Sequence, residues 1–525
     1  MKTVLDSVHG TISIHKDFFE KVIDTAHFQR LRRIEQNSCR SVYPSARHDR
    51  FIHSLGVYYI GSRIADEIER KYKEKKIENI RDKILPSNWD QIKKTYKLAC
   101  LLHDVGHSPF SHTFEEFFGR EYALNRLKEL LDDDKFNEDV DNSKQLPAEH
   151  ELISAMVAVK IYRSRFDDVD WVLLSRMITG YRYLEENKTS TGEKELLPDG
   201  SFENTMIELI HGDIIDADGL DYVCRDVWAG GYRNYNINLN RLIRSINILK
   251  EDLINNTGET VYRYSVVYSS KALNEIETVL NVKNFQYLYV IKHHKVLLEQ
   301  YYLVEAMKSC ACYHCYIPTT TSNDRDNALR KICDPKIFTE VKNLPISQYK
   351  LTRPTDDDFV ALMKLAPADK YIEGWFSRKF THEPLWKSKL EYFNIFAPIL
   401  GSISNGSRFN IVEFLKNDKF KKYLADRYNW DSDDIIVIEV TSKIRKLDPR
   451  KIKVSINDDN IPFSTLYHDS FSVIGSNKPF CYVYFNFKKH DMIRNPQSIG
   501  NIVEIIKNYL SEQLRKLWTP SLDSK

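Results

Sequence analysis

The amino-acid sequence predicts a mostly α protein with a smaller C-terminal α+β region, and three observations carry that prediction. Apolar residues recur at three- and four-residue steps through most of residues 15–315, the spacing of one buried helical face. Glycine and proline are scarce, at 18 and 17 in 525 residues, which excludes a collagen-like or repetitive β-solenoid chain. Two runs rich in β-branched and aromatic residues, Ile435-Ile436-Val437-Ile438-Glu439-Val440 and Phe480-Cys481-Tyr482-Val483-Tyr484-Phe485-Asn486-Phe487, come late and read as strands.

The helical faces follow in chain order. Phe18, Val22, Ile23, Phe28, Leu31 and Ile34 make the first, and Ile52, Leu55, Tyr59, Ile60 and Ile64 the second. Ile207, Ile210, Ile214, Ile215 and Leu220 repeat the spacing, as does the run 273–307. Charged stretches at 77–90 and 131–147 interrupt the pattern, and 185–205, with Gly192, Pro198 and Gly200, reads as a surface loop. Residues 318–324, Pro-Thr-Thr-Thr-Ser-Asn-Asp, form a turn-rich connector. The expected division is a helical core over 1–317 and a helical and α+β region over 318–525, closing with a helical period at 497–514.

Lys and Arg number 76 against 74 Asp and Glu, a net charge of +2. Global charge therefore neither demands nor excludes a nucleic-acid partner. Eight scattered cysteines are too few for a disulfide scaffold at this length, which favours a reducing compartment. Met1-Lys2-Thr3-Val4-Leu5-Asp6 lacks the apolar run of a signal peptide, and no stretch approaches the ~18 apolar residues of a spanning helix. The expectation is a cytoplasmic protein with no membrane partner.

Chemistry concentrates at three places. His53 stands in Arg50-Phe51-Ile52-His53-Ser54-Leu55-Gly56, and His103, Asp104, His107 and His112 fall within ten residues. The third is the acidic cluster His211-Gly212-Asp213-Ile214-Ile215-Asp216-Ala217-Asp218-Gly219-Leu220-Asp221. Imidazoles with carboxylates make a mixed nitrogen and oxygen site suited to Mn, Fe, Mg or Zn. Buried ionisable groups need a shared counter-charge, and a divalent cation supplies it. On one regular helix, adjacent His103 and Asp104 would diverge by ~100°, so their convergence calls for a helix end or bend near Gly106 and Pro109.

The set His53…His103-Asp104…Asp218 resembles the H…HD…D signature of the HD-domain metal-dependent phosphohydrolases. Phe28-Gln29-Arg30-Leu31-Arg32, Val42-Tyr43-Pro44, Arg50-Phe51-Ile52-His53-Ser54-Leu55-Gly56-Val57, His103-Asp104-Val105-Gly106-His107-Ser108-Pro109-Phe110-Ser111-His112 and Asp221-Tyr222-Val223-Cys224-Arg225-Asp226 resemble, more narrowly, the deoxynucleotide triphosphate triphosphohydrolases. The likeness is dense over residues 1–315 and thinner beyond, where Leu351-Thr352-Arg353-Pro354-Thr355-Asp356-Asp357-Asp358 fits the same plan.

This resemblance implies a helical HD fold and hydrolysis of a dNTP at the α-phosphorus to deoxynucleoside and inorganic triphosphate. It makes His53, His103, Asp104 and Asp218 the metal ligands. It places His112 by the leaving oxygen, His107 at a phosphate, and Glu115 and His150 where they orient the catalytic histidine. Arg50 becomes a phosphate contact, while Gln36, Tyr222 and Asp226 meet the deoxyribose. Asp218, Tyr222 and Asp226 share one helical face by their spacing. Lys292 and His294 fall in the family's phosphate-contacting helix. The sequence departs from the family at Asn37, where relatives carry an apolar residue against the sugar, and at Asn284 and Lys292, where the mammalian member has an arginine and a tyrosine.

The resemblance further implies a GTP or dGTP effector read by Asp24, Gln29 and Arg32, with Lys2 near an effector phosphate, and hence a homo-oligomer, dimer or tetramer, since that pocket joins several chains. Two features stand apart. The spacing in Cys310-Ala311-Cys312-Tyr313-His314-Cys315 lacks a clean second pair for zinc and reads as small residues ending a helix. Residues 443–453 carry six basic side chains, which fit either a solvated edge or a phosphate-binding patch. The metal set by itself leaves two other readings open: a nucleotidase, phosphodiesterase or nuclease, and a non-catalytic assembly that senses nucleotide or binds single-stranded nucleic acid.

Overall fold

The computed structural model describes the chain apart from residues 75–84, 189–193, 213, 233–235, 255–259, 318–320, 346–347, 402–409, 432, 441–448, 457–458, 467–478 and 519–525. Much of the charged stretch 77–90 and of the basic segment 443–453, together with Asp213, therefore lies outside the described residues. Helices dominate, as the periodicity predicts. The chain forms two compact units: Met1–Tyr287 with Met307–Pro367 and Ile444–Ser470, and Leu288–Ala306 with Ala368–Lys443 and Phe471–Lys525. The segment Met307–Pro367 of the first unit straddles position 318.

The first unit is built on the helix Arg50–Lys73, whose N-terminus is capped by the Asp49 carboxylate accepting the Ile52 N–H at 2.9 Å. Its Phe51, Leu55, Ile60, Ile64 and Ile68 are buried. The helices Trp89–Leu102 and Ala217–Ala229 pack against it, and Glu149–Tyr162 packs against Trp171–Thr179. Glu149–Tyr162 buries every residue from Glu151 to Val159, so its middle is apolar on nearly all sides, as a central helix requires. Ahead of these helices, Lys2–Asp6 pairs antiparallel with Gly10–Ile14 in a hairpin that buries Ile12 and Ile14.

Three segments differ from the sequence reading. Ile246–Ile254 and Thr260–Ser269, inside the stretch read as mostly helical, are antiparallel strands. They belong to a four-stranded sheet in the order Asp459–Pro462, Lys453–Ile456, Thr260–Ser269, Ile246–Ile254. The spacing Ile243, Ile246, Ile248 fits either period over so short a run, and sheet pairing decides it. Residues 185–205 are not a bare loop, because Leu184–Lys188 pairs with Lys194–Pro198 and a helix follows at Phe202–Glu208. The charged stretch 131–147 holds the helix Asp134–Asn142, which buries Phe136 and Val140 on its one apolar stripe.

In the second unit, Phe480–Phe485 pairs antiparallel with Ile435–Val440 on one side and Glu383–Pro384 on the other. Every residue of Phe480–Phe485 is buried, because helices Lys389–Gly401 and Ile411–Lys416 pack against it. The helix Pro496–Trp518 closes the chain's described part. Among the described residues no helix is long and apolar enough to cross a membrane.

Candidate metal centre

His53 lies in the first turns of Arg50–Lys73, and one turn later Gly56 permits a close helix crossing. A Cβ at Gly56 would stand 1.8 Å from Asp221 Oδ1 and 2.5 Å from Arg225 Nη2, so only glycine lets the Ala217–Ala229 helix approach His53. The helix Trp89–Leu102 ends at Leu102 with His103 as its cap. Two successive turns follow, Val105 N–H to Leu102 O and His107 N–H to Asp104 O, each at 3.0 Å. This is the helix end that convergence of His103 and Asp104 calls for. Gly106 then packs on the Glu149–Tyr162 helix, where a Cβ would meet Ser154 N at 2.4 Å.

Four donor atoms converge as a result. His53 Nε2 lies 3.3 Å from His103 Nε2, 3.1 Å from Asp218 Oδ1 and 3.7 Å from Asp104 Oδ2. His103 Nε2 lies 3.5 Å from Asp104 Oδ2 and 3.8 Å from Asp218 Oδ1. Ligands ~2.1 Å from a divalent ion stand roughly 3.0 Å apart when neighbouring and roughly 4.2 Å apart when opposite, and these separations lie between those limits. The outer nitrogens fit as well. His53 Nδ1 is 2.7 Å from Asp221 Oδ2, and His103 Nδ1 is 3.0 Å from the Cys100 carbonyl. Donating Nδ1–H there leaves each Nε2 lone pair aimed inward. His53, His103 and Asp218 form a group able to hold a divalent metal.

Charge follows geometry. Burial alone would push Asp104 up, but the Arg50 guanidinium, with His103 and His53 behind it, holds it well below the usual carboxylate range. Arg50 Nη1 donates to Asp104 Oδ2 at 2.6 Å, Nε to Ser111 Oγ at 2.9 Å and Nη2 to the Gln36 carbonyl at 3.4 Å. The arginine expected at a phosphate is thus bonded within the site. Asp221, absent from the sequence-derived site, is the hub behind His53. It accepts from Arg225 at 2.8 and 2.9 Å and meets His9 Nε2 at 2.5 Å, and Arg225 reaches Asp6 at 2.9 Å. The sequence signal was an Asp and an Arg four residues apart on one helix.

A second group of side chains lies on the loop after His103 and on the helix beyond. His112 Nδ1 stands 2.8 Å from one Glu115 oxygen, and the other Glu115 oxygen bonds His150 Nδ1. His107 stacks on His150 at 4.3 Å and lies 5.0 Å from the His112 ring. His107, His112 and His150 each offer a nitrogen within 4.8 Å of the others. Both ring nitrogens of the fully buried His107 lack a hydrogen-bond partner. Burial drives His107 well below its ordinary value, with Arg50, His150 and His112 adding to the shift. Burial also lowers His150, but Glu115 outweighs it and the net shift is upward. Glu115 is raised by burial yet held well below the carboxylate range by His150 and His112. The loop is unusual in backbone too: Phe110 and Ser111 are both left-handed, at φ 53° and 54°, which costs roughly 1–3 kcal/mol each for non-glycine residues.

Gln36 is buried, donates its N–H to the His48 carbonyl at 3.1 Å, and leaves Oε1 unpartnered. Asp226 meets His48 Nε2 at 2.7 Å, a partner the sequence did not indicate. Tyr222 is half-buried, with Lys283 Nζ 5.4 Å from its ring. Lys2 lies 3.8 Å from Asp24, and Arg32 donates to Gln29 Oε1 at 2.8 Å while stacking on Phe51. Lys292 and His294 belong to the second compact unit, not to the one that holds the metal cluster. There His294 is pushed down to about 3 by burial and by His293 and Lys295. None of the eight cysteines is in a disulfide, and among the described residues Cys310, Cys312 and Cys315 enter no metal-ligating group.

In the helical unit that carries the converging His, His-Asp and Asp set, residues 50–191, about a quarter of the chain, match the family model of the HD domain. Over 119 residues it is 40% identical to the deoxynucleoside triphosphate triphosphohydrolase SAMHD1 of Bos taurus, a stretch covering 22% of this chain and 18% of that protein. It is 24% identical over 383 residues to a putative HD domain-containing protein of Acanthamoeba polyphaga mimivirus, 71% of each chain. An uncharacterized protein of Methanocaldococcus jannaschii is 26% identical over 300 residues, 56% of this chain and 46% of that one. The matched stretch is thus less than half the length of the bovine and archaeal relatives. A phosphohydrolase structure from Bacteroides thetaiotaomicron shares the fold, with TM-score 0.58 at 19% identity over 93% of this chain and all of that one.

Proposed function

We propose that the chain hydrolyses deoxynucleoside triphosphates to deoxynucleoside and inorganic triphosphate. The observation that carries this reading is the His53, His103 and Asp218 group, with Asp104 Oδ2 3.7 and 3.5 Å from the two histidines, in the same unit as the Glu115-bridged pair His112 and His150. The 40% identity to a deoxynucleoside triphosphate triphosphohydrolase over the stretch it shares supports the choice of substrate.

His53, His103, Asp104 and Asp218 would hold a divalent ion, which would supply charge stabilisation to phosphoryl oxygens and lower the pKa of the attacking water. Arg50 keeps Asp104 ionised for that task. Glu115 accepts the Nδ1–H of His112, so that the imidazolium form, protonated on both nitrogens, can hand its Nε2 proton to the departing 5′ oxygen while Nδ1–H stays on Glu115. His150, on the other Glu115 oxygen, fixes that carboxylate in turn. Buried His107 offers a ring N–H that lacks a partner to a phosphate oxygen. Gln36, Tyr222 and Asp226 meet the sugar in this reading. Lys2, Asp24, Gln29 and Arg32 form an effector site for a guanine nucleotide, which would require assembly of several copies.

The test is a nucleotide panel with Mn²⁺ or Mg²⁺, with and without GTP or dGTP, followed by detection of inorganic triphosphate. Triphosphate from dNTPs is the expected product. Monophosphate with pyrophosphate would replace this reading with a nucleotidase, and an inert protein that binds single strands would replace it with a nucleic-acid-binding assembly.

A further inference from the structure

The left-handed pair Phe110 and Ser111 delivers His112, and a strained turn persists only where its surroundings over-determine it. One of its restraints comes from far along the chain. Asp356, at the first position of the helix Asp356–Leu365, is buried and accepts the Phe110 N–H through Oδ1 at 2.6 Å. Its other oxygen accepts the Glu35 N–H at 2.9 Å, one residue before Gln36. The Ser111 hydroxyl bonds the Glu35 carbonyl, so Asp356 and Ser111 hold both sides of that peptide segment. Arg30 adds a parallel tie. Its buried guanidinium donates to the Pro354 carbonyl at 2.5 Å and to the Val105 and His107 carbonyls at 3.2 and 2.5 Å.

We propose that Asp356 is a positioning residue for hydrolysis, its carboxylate locking the His112 loop and the Gln36 segment into one arrangement. Asp356 lies outside residues 50–191, so the part that matches the HD domain does not complete its own site. Asp356 acts through backbone N–H groups, two residues from His112 on one arm and one from Gln36 on the other. The inference rests on the proposed role of His112, while the anchoring itself can be measured without turnover.

The test compares Asp356→Ala, Asp356→Asn and Thr355→Ala in the full chain. Thr355→Ala weakens the cap of the same helix, where Thr355 and Asp358 bond reciprocally, but leaves both Asp356 contacts in place. Four quantities are read: Mn²⁺ content, kcat and KM for dNTP hydrolysis, and amide hydrogen exchange of peptides spanning 107–114. In Asp356→Ala, Mn²⁺ content stays at the wild-type level, KM moves by no more than about threefold, kcat falls about 10- to 100-fold and exchange at 110–111 quickens about tenfold or more. Asp356→Asn retains a carbonyl acceptor and recovers part of kcat, and Thr355→Ala stays near wild type. Wild-type kcat in Asp356→Ala, or an equal fall in Thr355→Ala, would overturn the proposal. Should the wild-type protein turn over no nucleotide, the proposed function falls, and unchanged exchange in both Asp356 variants then overturns the anchoring as well.

Discussion

The metal quartet and the His112 loop, joined in one site by the proposed function, are held by different means. Three of the four quartet ligands sit in or at the ends of helices whose packing sets their separation, and Gly56 fixes the closest crossing. The His112 loop has only two single 3₁₀ turns, Ser111–Thr113 and Glu115–Phe117, to place it. It is held by hydrogen bonds from Asp356, Arg50 and Ser108, and by Glu115 across to His150. Packing errors should therefore damage metal binding, and single hydrogen-bond deletions should damage proton transfer.

The sharpest break of that contrast is His103→Ala or Asp104→Ala. Either should abolish metal binding and lower turnover by roughly three orders of magnitude or more, with helical circular dichroism retained. Gly56→Ala forces Asp221 and Arg225 aside. It should cost about 3 kcal/mol of stability by urea unfolding and reduce metal content together with it. Asp221→Asn removes the negative charge behind His53 and one of its two acceptor oxygens, and should weaken metal affinity about 10- to 100-fold by competition with a chelator. Glu115→Gln should leave metal content unchanged while kcat falls about 10- to 100-fold. A Glu115 variant that lost metal first would dissolve the distinction between the two regions.

The smallest effect concerns pH and stability. Burial pushes the Asp356 carboxyl up to about 7, against the N–H bonds from Glu35 and Phe110 that lower it, while Glu35 and Asp357 add to the rise. Arg30 faces it as the nearby cation. Between the ordinary value of 3.8 and about 7, the folded state holds a proton that the unfolded state has released. Its contribution is thus full below 3.8 and is lost as the pH rises through about 7. Wild type should lose stability relative to Asp356→Asn between pH 5 and pH 8, on the order of 1–3 kcal/mol by urea unfolding.

Much of this protein was legible from the chain alone. Long-range helical periodicity marked the helices, because a buried stripe repeats over many turns and tolerates no other period. The H…HD…D residues were legible because buried imidazoles and carboxylates need a common cation, a demand local to each side chain. The strands Ile246–Ile254 and Thr260–Ser269 were not, since short apolar runs fit two periods until a partner strand selects one. Nor were Asp221, His9, His48 and Asp356. Each is an ordinary polar residue in sequence, and what it does depends on which atoms tertiary folding sets within hydrogen-bond reach. Composition and spacing marked the candidate groups; only packing between distant segments decided what holds them there, because a hydrogen bond is specified by separation in space and not along the chain.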